Sequence, residues 1–177
     1  ADPLEVLARL QEAGAERVGL ADTVGYADPR QERELFERAF EIAGDKLTCG
    51  HFHDTRGLGL ANVFAAWETG VRRFDACTGG IGGCPHAPGA SGNVATEDVA
   101  YLFASMGQPT GLDFDRLMAL RGRVAQWLQG EALHGAGVGL QQVDLVEPEG
   151  DGRPVEPEVV GDPGQPPGGG TGTQRQV

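Results

Sequence analysis

The sequence predicts an α/β fold in which short parallel strands alternate with helices. Three observations support this: helix-like and strand-like segments alternate, the strand-like runs are short and apolar, and polar residues suited to chemistry follow them. A helix between two strands favours parallel pairing, and parallel strands covered by helices are mostly apolar. Sites of such folds lie at the carboxyl ends of the strands. We therefore expect one site, built from the segments that follow the strands.

The first elements follow one another closely. A helix is predicted over residues 3–13, where apolar residues have helical spacing and a glycine follows. The apolar run at residues 16–21 predicts the first strand. Asp28 and Pro29 are typical of a helix start, and this second helix is predicted to end near Gly44.

The alternation continues as far as residue 134. It comprises two more strands with a helix between them, a glycine-rich loop after the third strand, and two closing helices. The predicted ranges are 46–53 and 71–77 for the strands, 60–69 for the helix between them, 78–92 for the loop, and 96–106 and 113–128 for the closing helices.

The chain divides into two regions of different composition. Residues 135–177 contain 11 Gly and 6 Pro and no aromatic residue. Because such a segment buries little apolar surface, we predict that it is a disordered acidic tail. Residues 1–134 form the region able to fold, and this is about half of what a complete eight-stranded α/β barrel needs, ~250 residues.

Charge and cysteine usage exclude several classes of protein. The net charge is −12, and no basic patch is present, so neither nucleic acid nor an anionic membrane is an expected partner. No apolar run has the length of a membrane-spanning helix, and no secretion signal is recognisable. Three cysteines cannot all pair. We therefore expect reduced thiols and a cytoplasmic location.

Two histidines end the second predicted strand. Residues i and i+2 of a strand point to the same face, so His51 and His53 are expected to lie side by side. Two adjacent imidazoles can chelate a metal ion, although two polar residues that line a wet pocket give the same pattern. Their place at the carboxyl end of a strand favours metal binding.

Two further polar residues have alternative interpretations. Asp22 ends the first strand and can act as an acid or base or orient a ligand, but the pattern alone favours a turn residue. Asn93 shortly precedes the helix predicted from Thr96. Its amide oxygen can join a metal shell or cap the helix, and the pattern alone favours the cap.

Cys84 lies in the glycine-rich loop. The glycines of residues 79–83 allow the backbone to approach a ligand closely, and a thiol there can serve as a proton donor or nucleophile, with His86 two residues away. The alternative for a lone cysteine is a small apolar core residue. That role suits Cys49 and Cys77 better, because both lie within predicted strands. The pattern of a phosphate-binding P-loop is absent.

Four segments of the chain occur in a specific order: 20–25 (LADTVG), 51–55 (HFHDT), 79–85 (GGIGGCP) and 89–98 (GASGNVATED). Together they resemble the second half of the 3-hydroxy-3-methylglutaryl-CoA (HMG-CoA) lyases. Related synthases for isopropylmalate and homocitrate share the two histidines and the asparagine, but they carry a Gly-Glu-Arg type of loop without the cysteine. The resemblance covers about residues 4–133 and implies a partial TIM barrel that holds the last three βα units.

The resemblance implies a metal-dependent carbon–carbon lyase. The residues that bind Mg²⁺ or Mn²⁺ in the family correspond to His51, His53 and Asn93, so Asn93 becomes an expected ligand. The family's loop cysteine and strand-end aspartate correspond to Cys84 and Asp22, which we expect to be catalytic. The implied reaction is the retro-Claisen cleavage of an acyl-CoA substrate, HMG-CoA, to acetyl-CoA and acetoacetate, in leucine degradation and ketone-body formation.

The resemblance also implies what these 177 residues lack. The family's first strand supplies an aspartate ligand and a catalytic arginine, and neither has a counterpart here. We therefore expect a truncated or frame-shifted product with little or no activity alone, which needs the missing half or forms a homo-oligomer. The alternatives are an aldolase or Claisen-type synthase of the same superfamily that acts on another substrate, and an inactive remnant.

Overall fold

The sheet consists of three parallel strands in the described residues, in the order β1, β2, β3. The computed structural model describes residues 2–83 and 91–135. The register places Ala21 beside His51, and His51 beside Asp75. The predicted parallel α/β fold is confirmed. The strands are β1 at Val18–Asp22, β2 at Leu47–Phe52 and β3 at Phe74–Asp75.

Five α-helices precede, connect and follow the strands in the part of the chain that the structure describes. In sequence, α1 packs against α2, α2 against α3, and α3 against α4. The sheet face that carries Phe52 and Phe74 packs against side chains of these helices, whereas Gly19 and Ala21 on the other face are exposed. Coverage of one face by helices is the arrangement of a barrel segment. The helices are α1 at Pro3–Glu12, α2 at Pro29–Ala43, α3 at Gly59–Glu68, α4 at Thr96–Ser105 and α5 at Phe114–Trp127.

A row of aromatic rings joins the sheet to the helices. Phe52 is fully buried, and its ring centroid lies 6.0 Å from that of Phe36 on α2 and 6.4 Å from that of Phe74. Phe74 stacks on Phe103 of α4 at 5.4 Å, and Phe103 contacts Trp67 of α3 at 6.1 Å. Such ring pairs add stability beyond the area they bury. The row therefore fixes three helices against one face of the sheet.

A capping box starts α2. The Asp28 carboxylate accepts hydrogen bonds from the N–H groups of Arg30 (2.9 Å) and Gln31 (3.0 Å). The Gln31 side chain accepts one from the N–H of Asp28 at 3.1 Å, and Pro29 occupies the first helical position. The predicted helix start at Asp28 and Pro29 is confirmed.

We expect Asp28→Ala to lower the free energy of unfolding by about 1 kcal/mol, because two amides at the start of α2 lose their acceptor. Urea unfolding followed by circular dichroism measures the change. Asp45→Ala is the matched control, since Asp45 is exposed and makes no described capping bond. Equal losses in the two variants would contradict the role of the cap.

The third strand is shorter than the predicted range 71–77. β3 ends at Asp75, and Cys77 joins the segment that precedes α4. The N–H of Cys77 donates to the carbonyl of Val94 (3.2 Å), and its carbonyl accepts from the N–H of Thr96 (3.0 Å). Because the returning segment uses the backbone of Cys77, the ladder with β2 does not extend that far.

The prediction that Cys49 and Cys77 are core residues is wrong. Both residues are half-buried. Cys49 lies on the sheet face opposite the aromatic row, and Cys77 lies beyond the end of β3. Partial burial and the nearby Asp75 carboxylate raise the pKa of the Cys49 thiol. The thiol of Cys49 is therefore protonated at neutral pH.

Two predictions concern segments outside the described residues. Cys84 belongs to residues 84–90, and the predicted tail lies beyond residue 135 apart from Gly135 itself. Within the described ranges, no helix has both the length and the apolar character needed to cross a membrane.

Candidate functional site

The candidate residues meet where β1 and β2 end. Asp22 is the last residue of β1, His51 lies within β2, and His53 directly follows β2. Asn93, from the segment before α4, pairs with His53 in an antiparallel bridge. Four residues from three separate segments of the chain thus lie at one edge of the sheet.

Backbone hydrogen bonds hold the Asn93 segment against the end of β2. The N–H of Val94 donates to the carbonyl of Phe52 at 3.0 Å, and the N–H of Asp54 donates to the carbonyl of Gly92 at 2.9 Å. Gly92 has a φ of +131°, and a Cβ there would lie 2.2 Å from the carbonyl oxygen of Gly80. Only glycine fits this close approach.

The two histidine rings are adjacent, as the strand periodicity predicts. Their ring centroids lie 5.3 Å apart. His53 is 5% exposed, and its Nδ1 has no described hydrogen-bond partner. Burial lowers the pKa of His53, and so does His51, whereas Asp22 acts in the opposite direction. The imidazole of His53 is therefore neutral at neutral pH, the form that binds metal ions.

Asn93 presents a buried amide oxygen. Its Nδ2 donates hydrogen bonds to the carbonyls of Ile81 (2.7 Å) and Gly82 (3.1 Å). These bonds fix the amide's orientation and leave Oδ1 buried without a described partner. The N-cap of α4 is Ala95, with no side-chain capping bond. The capping alternative for Asn93 is therefore wrong.

Nδ1 of His53 and Oδ1 of Asn93, both without a described partner, are atom types that can bind a divalent cation. A buried polar atom without a partner costs about 1–3 kcal/mol, and a bound cation would use both lone pairs. Imidazole and oxygen donors together suit Mg²⁺ or Mn²⁺ better than a structural zinc site. Within residues 2–83 and 91–135, no three His, Cys, Asp or Glu side chains converge on a metal position. The predicted ligand set of His51, His53 and Asn93 therefore depends on the Asn93 amide oxygen as its third ligand.

Asp22 is held in a tight turn. Its Oδ1 accepts hydrogen bonds from the N–H groups of Gly25 (2.9 Å) and Tyr26 (3.3 Å), and its Oδ2 accepts one from Ala27 (3.0 Å). Gly25 has a φ of +67°, and a Cβ there would lie 2.8 Å from the nitrogen of Thr55. The turns after β1 and β2 are thus in close contact. Asp22 has the turn role that the sequence pattern favoured.

An arginine and a tyrosine pair at the same edge. The Arg56 guanidinium lies 4.9 Å from the centroid of the Tyr26 ring. They come from the turns after β2 and β1, Tyr26 is 55% exposed, and Arg56 is exposed. Arg56 makes no ion pair with a described residue. The pair therefore presents a positive charge to solvent beside the candidate site.

Sequence reasoning missed a buried ion pair next to the glycine-rich loop. Glu97 of α4 is 1% exposed, and its Oε1 lies 2.8 Å from Nη1 of Arg121 on α5. The same carboxylate accepts the N–H of Gly79. No local signal identifies this pair, because the two residues lie 24 positions apart on different helices.

Comparison with known proteins identifies several relatives. The HMGL-like family model matches residues 1–124. The (R)-citramalyl-CoA lyase of Chloroflexus aurantiacus is 44% identical over 147 residues, which cover 83% of this chain and 42% of that protein. The hydroxymethylglutaryl-CoA lyase of Pseudomonas mevalonii is 44% identical over 124 residues, which cover 70% of this chain and 41% of that enzyme.

A solved structure supports the same relationship. An HMG-CoA lyase from Acinetobacter baumannii, in complex with coenzyme A and 3-methylmalate, is similar with a TM-score of 0.73 and 40% sequence identity. The match covers 79% of this chain and 46% of that one. The chain thus spans less than half the length of each of these relatives.

Proposed function

This chain belongs to the HMGL-like family, and we propose that its sheet edge forms part of the active site of a divalent-metal-dependent carbon–carbon lyase. The observation that carries the proposal is a pair of buried atoms, Nδ1 of His53 and Oδ1 of Asn93, which lack a partner among the described residues and lie beside His51. The proposed substrate is HMG-CoA, cleaved to acetyl-CoA and acetoacetate, and the proposed cation is Mg²⁺ or Mn²⁺.

Three side chains would hold the cation: His51, His53 and Asn93. When bound, it would supply Lewis acidity that lowers the pKa of the substrate's tertiary hydroxyl. Burial keeps the His53 imidazole neutral, and the two Nδ2 hydrogen bonds keep Oδ1 of Asn93 turned away from the loop.

Two side chains are proposed to move protons. Asp22 accepts the proton of the tertiary hydroxyl; its Oδ2 makes only one described hydrogen bond and retains a free lone pair. The O–H electron pair forms the new ketone as the C–C bond breaks, and the electrons of that bond form the thioester enolate. The Cys84 thiol, which lies outside the described residues, then donates its proton to the enolate carbon, which yields acetyl-CoA and a thiolate.

The exposed Arg56 supports an anionic substrate. The chain carries a net charge of −12, so a CoA thioester with its phosphates needs a local cation to approach this edge. We expect Arg56→Gln to weaken HMG-CoA binding about 2- to 5-fold, the range of an exposed ion pair, and to make binding less sensitive to salt. Isothermal titration calorimetry in the presence of Mn²⁺ measures both effects.

The matched control is Arg33→Gln. Arg33 lies on α2 and pairs with Glu68 of α3, not with a residue of the turns that follow the strands. Equal losses of affinity in the two variants would contradict a specific contribution of Arg56.

Citramalyl-CoA is the second candidate substrate. The specific observation in its favour is that the citramalyl-CoA lyase matches over a longer stretch than the HMG-CoA lyase of Pseudomonas mevalonii, at the same identity. Both substrates are CoA thioesters of hydroxylated, methyl-branched diacids. The metal site and proton transfers proposed above serve either cleavage.

A combined binding and turnover experiment tests the proposal. Loss of the free-ion electron paramagnetic resonance (EPR) signal measures Mn²⁺ binding to the folded chain, and chromatography detects the products of HMG-CoA and citramalyl-CoA. We expect Mn²⁺ to bind, more tightly with the correct thioester present, and turnover to be slow or absent. A folded chain that binds no Mn²⁺ would contradict the metal site. Acetyl-CoA with pyruvate, without acetoacetate, would favour citramalyl-CoA.

A further inference from the structure

We infer that the buried Glu97–Arg121 ion pair positions the Asn93 side chain by fixing the start of the glycine-rich loop. Glu97 and Arg121 are then positioning residues of the candidate metal site. The predicted effect on metal affinity rests on the proposed function, whereas the orientation of Asn93 can be tested without it.

The Glu97–Arg121 ion pair is buried, and its carboxylate also accepts the backbone N–H of Gly79. The side chains of Glu97 and Arg121 are 1% and 11% exposed. The N–H of Gly79 donates to Oε1 of Glu97 at 2.8 Å and to Oε2 at 3.1 Å. A buried carboxylate needs its partners, since the loss of one leaves an uncompensated charge. Removal of Arg121 therefore acts directly on the group that holds the Gly79 amide.

A hydrogen bond also holds the carbonyl group of Gly79. Its carbonyl accepts the N–H of His134 at 2.7 Å, and Nη1 of Arg121 donates to the carbonyl of His134 at 2.9 Å. Gly79 has a φ of +69°, and a Cβ there would lie 3.0 Å from Cδ2 of Leu133 and 3.2 Å from Nη1 of Arg121. The Arg121 guanidinium thus binds both Glu97 and the backbone of His134, the two residues that hydrogen-bond to Gly79.

The fixed glycine determines where the next carbonyls of the loop lie. Ile81 and Gly82, two and three residues after Gly79, provide the acceptors for Nδ2 of Asn93. The fit is close, because a Cβ at Gly82 would lie 2.9 Å from that Nδ2. An amide that loses these acceptors can rotate and present its NH₂ group, which carries no lone pair for a cation. Loss of the ion pair is therefore expected to free Asn93 to turn.

The test compares Arg121→Met, Arg121→Lys and the control Arg33→Met. Arg33 also belongs to an ion pair between helices, with Glu68, and neither residue makes a described hydrogen bond to the loop. Nuclear magnetic resonance measures the solvent exchange of the Asn93 side-chain NH₂, whose signals are assigned from their absence in Asn93→Ala. EPR measures the Kd for Mn²⁺, and urea unfolding measures stability.

We expect Arg121→Met to accelerate exchange of the Asn93 NH₂ about 10-fold and to raise the Kd for Mn²⁺ about 10-fold, the lower end of the range for residues that orient metal ligands. Arg121→Lys, which keeps the charge but not the geometry, should have a smaller effect. Arg33→Met should change neither property. If Arg121→Met does not fold, the exchange rate in Arg121→Lys decides: faster than wild type supports the inference.

Unchanged Asn93 exchange in a folded Arg121 variant would overturn the inference, even if the variant were less stable, because a purely stabilising pair gives that result. Should the wild-type chain bind no Mn²⁺, the proposed metal site fails, and the exchange of the Asn93 NH₂ still decides whether the pair positions this side chain.

Discussion

Glu32→Gln is expected to stabilise the folded chain by about 3 kcal/mol at about pH 8 and by only about 1 kcal/mol at about pH 5. Glu32 lies in the first turn of α2 and is only 4% exposed. The pKa of its carboxyl is raised from 4.5 to about 7. Burial is the main cause, and the carboxylates of Asp22 and Asp28 contribute to the same shift. At alkaline pH the wild-type chain therefore carries a buried, unfavourable charge, which glutamine removes.

Proton binding determines the direction of this effect. The folded chain keeps a proton on Glu32 up to about pH 7, whereas the unfolded chain releases it near 4.5. The folded state binds more protons between these values, so stability is full below the lower pKa and decreases as the pH rises through the higher one. At about 1.36 kcal/mol per pKa unit, the difference corresponds to about 3 kcal/mol.

Urea unfolding of both proteins at the two pH values measures this effect. Glu37→Gln is the control, since Glu37 lies on the same helix but is exposed. The explanation would be wrong if Glu32→Gln and Glu37→Gln lost stability equally between the two pH values.

The helices and the first two strands were predictable because local features determine them. The Asp28–Pro29 start of α2 is a matter of capping, and β2 is a short strand-like segment between two helical patterns. The length of β3 was not predictable in this way. It depends on the backbone of Cys77, which bonds to residues that lie beyond the loop in sequence.

The candidate site likewise has some features that the local sequence predicts and others that depend on tertiary contacts. Strand periodicity alone predicts that His51 and His53 lie side by side, and the rings are adjacent. The orientation of the Asn93 amide depends on carbonyls 11 and 12 residues away, and the burial of Glu97 depends on Arg121 of another helix. Contacts made only in the folded chain determine these features, so no local sequence pattern predicts them. The roles of Asp22 and Cys84 stay predictions.

We expect His53→Ala to weaken Mn²⁺ binding by about 100-fold or more. Residues that only orient metal ligands already contribute about 10- to 100-fold to affinity, and His53 is proposed to be a ligand itself. Its Nδ1 is buried next to Asn93 without a partner in the described part of the chain, and its lowered pKa favours the imidazole without a proton that would compete with the metal. EPR titration of the folded variant measures the Kd.

The matched control is His134→Ala, which also removes one imidazole. The side chain of His134 is exposed, while its backbone N–H and carbonyl, which bond to Gly79 and Arg121, remain in the variant. We expect this control to bind Mn²⁺ like the wild-type chain. A folded His53→Ala chain with unchanged affinity would exclude His53 as a ligand and contradict the proposed site.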